Sequence, residues 1–194
     1  MVLYFAAPMH AIDVLSHARP RRMSRAEYER VIEQGFFRDE RVELIHGIVV
    51  EMSPIGPPHS DKVDVLTRVF VRGVGDRAVV RVQAPFAASD DSEPEPDVAL
   101  VPPGRYADGH PERAFLVVEV SDISLDHDRK TKAPLYAASG APECWIVDVE
   151  AREVEVFDEL TGGLYGRSRR FSSSATIAPA AFPDVIVSVK ELFG

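Results

Sequence analysis

Hydrophobic positions along this chain change their period several times, and each change marks an element. Ser24 followed three residues later by Glu27 is a capping-box pair, which predicts a helix from there to about Gln34. RVELIHGIVVEM then reads as two short strands around a His46-Gly47 turn. The segment SPIGPPH is dense in helix breakers and predicts a loop. Beyond it, Val63, Leu66, Val69 and Phe70 recur at helical spacing, predicting a helix over about 60–72. β-branched residues dominate 78–89, 97–101 and 114–121, which are read as strands. A helix near 130–139 stops at Gly140, a residue suited to ending a helix. ECWIVDV and EVEVFDE predict a hairpin, and shorter strands with a terminal helical turn close the chain. The order α, ββ, α, βββ, α, ββ predicts an α/β fold, a central mixed β-sheet flanked by helices. No repeat or low-complexity linker divides the chain. Residues 23–194 are therefore read as a single domain, and 1–22 as an N-terminal arm or extra strand.

Composition narrows the class. The chain has 194 residues, 45% of them hydrophobic, enough for a sizeable core. No run approaches the roughly 20 apolar residues of a membrane span. MVLYFAAPMHAIDVL has no basic leading region and is interrupted by His10 and Asp13, so it is read as an arm and not a signal peptide. The lone Cys144 cannot form an internal disulfide, which points to a reducing, cytoplasmic compartment. The net charge of −9, from 22 basic and 31 acidic residues, is the opposite of what a phosphate-backbone binder usually carries. The charges are uneven, however. Asp90, Asp91, Glu93, Glu95 and Asp97 share one short segment, and arginines cluster at 19, 21, 22 and 25 and at 167, 169 and 170. Each arginine cluster reads either as a solvated face or as a local anion-binding one.

The chemistry-bearing positions are acidic. Glu119 stands inside FLVVEV, a run that predicts a covered strand, with Phe115, Val117, Glu119 and Ser121 on one face. Taking an ionised carboxylate out of water costs several kcal/mol unless a cation or hydrogen bonds compensate. Glu119 therefore faces a cleft, a cation or a metal, or else forms a structural salt bridge. Asp97 follows Pro96 and opens the strand DVALV, and it shares parity with Glu93 and Glu95. Clustered carboxylates repel unless a cation intervenes, and a hard ion such as Mg²⁺ suits oxygen ligands of this kind. Pro134 belongs in the first turn of its helix, which places Lys132 at the positive helix end, facing carboxylates or a phosphate. The alternative is an exposed ion pair with Asp128. Glu43 is a possible further ligand or a partner of Arg41. His59 and Gln83 are candidate substrate contacts, while Cys144 and Trp145 read as core. Phosphate-binding glycine loops, HExxH and GxSxG are absent, and the histidines show no zinc-ligand spacing.

Four ordered blocks carry a family resemblance: ELIHG, EPDVALV, LVVEVSDISLDHDRKTK and LYAASGAPECWIVDVE. Over about residues 24–160 the chain resembles the Uma family of restriction endonucleases, within the PD-(D/E)XK nuclease superfamily. The resemblance implies a restriction-endonuclease-like core and Mg²⁺-dependent phosphodiester hydrolysis, with Mn²⁺ as a substitute. It matches Asp97 to the PD aspartate, Glu119 to the acidic residue of the next strand and Glu43 to an upstream glutamate. The superfamily lysine, two residues after the acid, is replaced here by Ser121. Lys132 matches the family's lysine in the following helix, and Lys130 competes for that role.

The function these readings imply is an endonuclease acting on nucleic acid, DNA before RNA, with no membrane partner and able to pair as a homodimer. Two other classes fit parts of the pattern. One is a catalytically inactive binding or assembly module, favoured by the acidic charge and by Ser121. The other is a metal hydrolase of a small phosphorylated substrate.

Overall fold

The computed structural model describes residues 19–194. Most of the predicted N-terminal arm, 1–22, lies outside the described residues. Helix α1 (Arg25–Glu33) starts on the capping box read from the sequence: Ser24 Oγ accepts from the Glu27 N–H, and the Glu27 carboxylate accepts from the Ser24 N–H. Strands β1 (Val42–Ile45) and β2 (Ile48–Glu51) form an antiparallel hairpin. Both turn residues take positive φ, His46 at 49° and Gly47 at 76°. A two-residue turn of that hand matches the twist of the strands it joins.

Helix α2 (Pro57–Val74) is followed by a short 3₁₀ turn and then by strands β3 (Val79–Val82), β4 (Val98–Val101) and β5 (Leu116–Ser121). The strand predicted over 78–89 is thus cut short. Gln83 adopts φ 46°, which breaks the extended run. Phe86, Ala87 and Ala88 are apolar because they are buried in a loop, where Phe86 meets Tyr136 edge-on at 6.2 Å. After β5 a helical segment comprises α3 (Leu125–His127), a π-turn (Asp128–Lys132) and α4 (Ala133–Ala138). Strands β6 (Cys144–Asp148), β7 (Glu153–Thr161) and β8 (Leu164–Phe171) complete the sheet, and the small pair β9 (Thr176–Ile177) and β10 (Val187–Ser188) leads into α5 (Val189–Phe193).

The six-stranded sheet has the order β3-β4-β5-β6-β7-β8. Only β5 and β6 run parallel within it; the other neighbours are antiparallel. A parallel pair needs a crossover, and the α3–α4 segment supplies it. Both faces of the central strands are covered. Leu116, Val118 and Val120 pack towards α2 with Leu66, Phe70 and Trp145. Val117 joins Ile146, Leu135 and Tyr136 in the layer on the other side. Burial on both faces explains why β5 is apolar nearly throughout. Phe115 departs from the predicted alternation: it precedes the strand and packs with the α2 layer, against Phe182 at 5.4 Å.

Phe70 is fully buried and its ring centroid lies 5.9 Å from that of Trp145, so it ties α2 to the sheet. Phe70→Ala is expected to lower unfolding free energy by about 3–5 kcal/mol, measured by urea denaturation. A loss below about 1 kcal/mol would contradict this packing role.

Candidate active site

The register of β4 against β5 sets Val98 opposite Val118, so Asp97, one residue before β4, comes alongside Glu119. Asp97 is fixed from three directions. Its Oδ2 accepts the Val120 N–H at 2.8 Å and lies 3.0 Å from His59 Nε2. Its Oδ1 accepts the Gln83 amide at 3.3 Å. Gln83 is itself held, since its backbone N–H donates to the Asp97 carbonyl at 3.1 Å. His59 belongs to the first turn of α2, and not to the loop before it as the sequence suggested.

Glu119 is only 3% exposed. Its Oε1 accepts a short hydrogen bond from the Tyr136 hydroxyl. The Lys132 ammonium, 5% exposed, lies 3.4 Å from the same oxygen and 3.0 Å from Glu43 Oε2. Glu43 reaches this point because the β1–β2 hairpin is latched to the chain before β4: Leu44 and Glu93 exchange backbone hydrogen bonds at 2.7 and 3.3 Å. The Glu95 N–H also donates to Glu43 Oε2, at 3.2 Å.

Lys132 arrives by a route different from the one predicted. The helix does not start near residue 130; the chain is already helical from Leu125. The Ala133 N–H donates to the Asp128 carbonyl five residues back, the hydrogen bond of a π-turn. Such a widened turn accommodates Pro134, which has no N–H to give and whose ring would crowd the preceding turn. Lys132 is therefore not at the positive end of a helix dipole. Neither is it paired in the open with Asp128, which is buried and accepts from both the Ser121 and Ser124 hydroxyls at 2.6 Å. Ser121, at the position where a lysine was expected, thus anchors the segment that carries Lys132. Lys130 points elsewhere: it is 72% exposed and paired with Asp126.

Electrostatics follow from burial. Removal from water pushes the Glu119 carboxyl well above its ordinary pKa, Lys132 opposes that rise, and Asp128, Asp97 and Glu43 add to it. Burial alone would lower the Lys132 ammonium, but Glu119 and Glu43 hold it well above the usual lysine range. Burial and the Glu119 charge push the Tyr136 hydroxyl up, so it remains a donor.

These groups open onto a cleft of about 430 Å³, with Ile55 and Ile123 exposed at its mouth. Glu43, Glu95, Asp97, Glu119 and Asp128 line it against Lys132 and Arg41. His59 Nδ1 and His127 Nε2, on two further lining residues, are buried without a hydrogen-bond partner among the described residues. Among the described residues no three His, Cys, Asp or Glu side chains form a ready metal cage. No described helix is long and apolar enough to cross a membrane. Tyr136 and His127 were missed by sequence reasoning. Tyr136 stands four residues after Lys132, one helical turn on, and that spacing was the available signal. The arginine clusters are largely occupied by neighbouring groups: Arg21 pairs with Glu27, Arg22 with the His46 carbonyl, and Arg167 and Arg169 with Asp158.

The raised Glu119 pKa has a definite consequence for stability. Relative to the unfolded chain, whose glutamates titrate at about pH 4.3, the native state favours the protonated form of this carboxyl. The stability this group contributes is complete below that pH and is lost as pH rises through the higher native value. Glu119→Gln removes the loss. The variant's Tm relative to wild type is expected to rise from about pH 5 to about pH 8, followed by thermal melts monitored by circular dichroism. A pH-independent difference would contradict the assigned burial.

The sequence profile of the Uma2 family, described as "Putative restriction endonuclease", matches residues 25–190. No curated protein matches the chain. Among solved structures, the fold is similar to one described as a "putative nuclease belonging to DUF820" from Anabaena variabilis ATCC 29413. The TM-score is 0.69 at 17% identity, over 90% of this chain and 98% of that one. At that identity the likeness establishes a shared fold. The family match spans most of the chain, from α1 to α5, and includes every residue of the cleft: this protein belongs to the Uma2 family of restriction-endonuclease-like proteins.

Proposed function

We propose that the chain is a Mg²⁺-dependent endonuclease that hydrolyses phosphodiester bonds in nucleic acid, DNA in preference to RNA. The observation that carries this reading is the juxtaposition of Asp97 and Glu119 across β4 and β5, with Lys132 lodged against Glu119 at the wall of an acidic cleft. The donor set fits a magnesium ion. Mg²⁺ is commonly held by one or two carboxylates, keeping its waters and taking the rest of its shell from a phosphate, so a closed protein cage is not required. Asp97 and Glu119 would hold it, and the excess of carboxylates over cations in the cleft favours its entry. When bound, the ion lowers the pKa of water and stabilises charge on the phosphoryl oxygens.

The protein's own groups have separable tasks. Lys132 stays protonated between Glu43 and Glu119, so it acts as a fixed positive charge and not as a base. It offsets negative charge developing on phosphorus and orients the attacking water through its N–H groups. Glu43 holds Lys132 in place. His59, Gln83 and the Val120 N–H fix the Asp97 carboxylate, and Tyr136 fixes that of Glu119. The apolar Ile55 and Ile123 at the mouth narrow access for water.

Asp97→Ala, Glu119→Gln and Lys132→Met are each expected to reduce Mg²⁺-dependent cleavage of single- and double-stranded DNA by at least about 100-fold. His59→Ala and Gln83→Ala, which act through Asp97, are expected to cost about 10–100-fold. Cleavage by wild type that persists in all three of the first variants would overturn the site. Hydrolysis of bis(p-nitrophenyl) phosphate with no cleavage of DNA or RNA would assign the cleft to a small phosphorylated substrate. Absence of both activities would favour a binding module.

A further inference from the structure

A second hollow opens beside the cleft and shares Arg41 and Glu95 with it. Its volume, about 870 Å³, suits a small organic ligand or part of a larger one. Part of its lining is aromatic and open. Phe36 is 60% exposed, a large apolar ring left in water at the edge of a concavity. The backbone fixes it there, because Phe36 sits between Gly35 at φ 84° and Phe37 at φ 61°. A left-handed conformation is unfavourable for a bulky aromatic residue and persists only where its surroundings enforce it. Phe37 is held by packing on the cluster of Tyr28, Val42 and Leu44. Tyr106 also lines the hollow, with the Arg81 guanidinium over its ring at 5.6 Å.

The polar part of the lining is buried and under-satisfied. Glu93 is 5% exposed, and among the described residues its Oε2 has no hydrogen-bond partner apart from a proton shared with the neighbouring Glu29 carboxyl. His110 Nδ1 is likewise buried without a partner among the described residues, and His110 Nε2 lies 3.9 Å from Glu93 Oε1. Burial and then Glu29 push the Glu93 carboxyl up to about 7. The latch to Leu44 uses only the Glu93 backbone, which any residue other than proline could supply. Among the described residues the Glu93 carboxyl meets Glu29 and, at 3.9 Å, His110, and an incoming ligand with N–H donors would satisfy the oxygen left over.

An exposed aromatic ring and a buried acceptor lining one hollow, next to the cleft proposed to cleave phosphodiesters, match a nucleobase. Bases stack on aromatic rings irrespective of sequence, and a glutamate accepts from a base amino group. Guanine alone among the DNA bases presents a ring N–H next to an amino group, two donors for the two oxygens of one carboxylate. A base inside a duplex stack cannot enter such a hollow, so its occupant comes from a single strand or a locally opened site. Glu93 and Asp97 are four residues apart, a chain span of at most about 14 Å, which keeps this base close to the scissile phosphate.

Building on the nuclease reading of the cleft, we propose that this hollow is a base-recognition subsite in which an unpaired nucleobase, guanine above all, stacks on Phe36 and presents its amino edge to Glu93. The substrate is then single-stranded or locally unpaired DNA, cut near a guanine.

The test is calorimetric titration of the four deoxynucleoside 5′-monophosphates into the Glu119→Gln protein in the presence of a chelator. dGMP is expected to bind at least about 10-fold more tightly than dTMP, and Phe36→Ala or Glu93→Gln to weaken dGMP by at least about 10-fold. Phe36 is exposed and Glu93→Gln preserves shape, so neither variant is expected to melt below the parent. Equal binding of all four nucleotides, dGMP binding indifferent to both substitutions, or displacement of dGMP by inorganic phosphate at equal concentration would each overturn the subsite. Because no metal and no intact carboxylate pair is present, the result is independent of cleavage. A wild-type protein that binds dGMP selectively but cuts no nucleic acid would remove the nuclease reading alone.

Discussion

A carboxylate buried in the middle of a sheet is the constraint around which this molecule is arranged. Glu119 occupies a β5 position that would otherwise belong to an apolar side chain, and it is shielded by a strand on each side. An isolated ion there would be several kcal/mol less stable than in water. Two groups offset that cost: the crossover segment brings the Lys132 ammonium and the Tyr136 hydroxyl to the same oxygen, and the hairpin's Glu43 holds that ammonium from its far side.

The supporting structure follows from the same need. The π-turn sets Lys132 against Glu119 and accepts Pro134 immediately after it. Asp128, held by Ser121 and Ser124, pins the start of the segment to the end of β5. The lysine and the acid are thus joined through a short polar anchor, although they come from different elements. A lysine in the strand itself would need no such anchor; here Ser121 holds that strand position and Lys132 reaches Glu119 from the helical segment.

Much of this was legible in the sequence, for identifiable reasons. The Ser24–Glu27 box, the His46-Gly47 turn and the period of α2 are local signals, and each produced the predicted element. Glu119 was conspicuous because a charge in a β-branched run contradicts its surroundings. What failed was tertiary in origin. The apolar residues at 86–88 are buried by packing under Tyr136 and not by strand pairing, so hydrophobicity overran the end of β3. Pro134 was read as a helix start because a π-turn has no sequence signature separate from proline's usual one. Glu93 and Asp97 share parity yet line different hollows, a divergence that depends on the hairpin and on α1.

The acidic net charge of −9 also takes on a specific meaning. Phosphate attraction is weak over such a surface, so under the proposed function affinity would come from a metal held in the cleft and from contacts to the base. The central claim is that Asp97 and Glu119 form a divalent-cation site, and the most direct test is calorimetric titration of Mn²⁺ into wild type and Glu119→Gln. The account predicts saturable binding near one site per chain in wild type and its loss in the variant. Saturable binding that is the same in both proteins would contradict it.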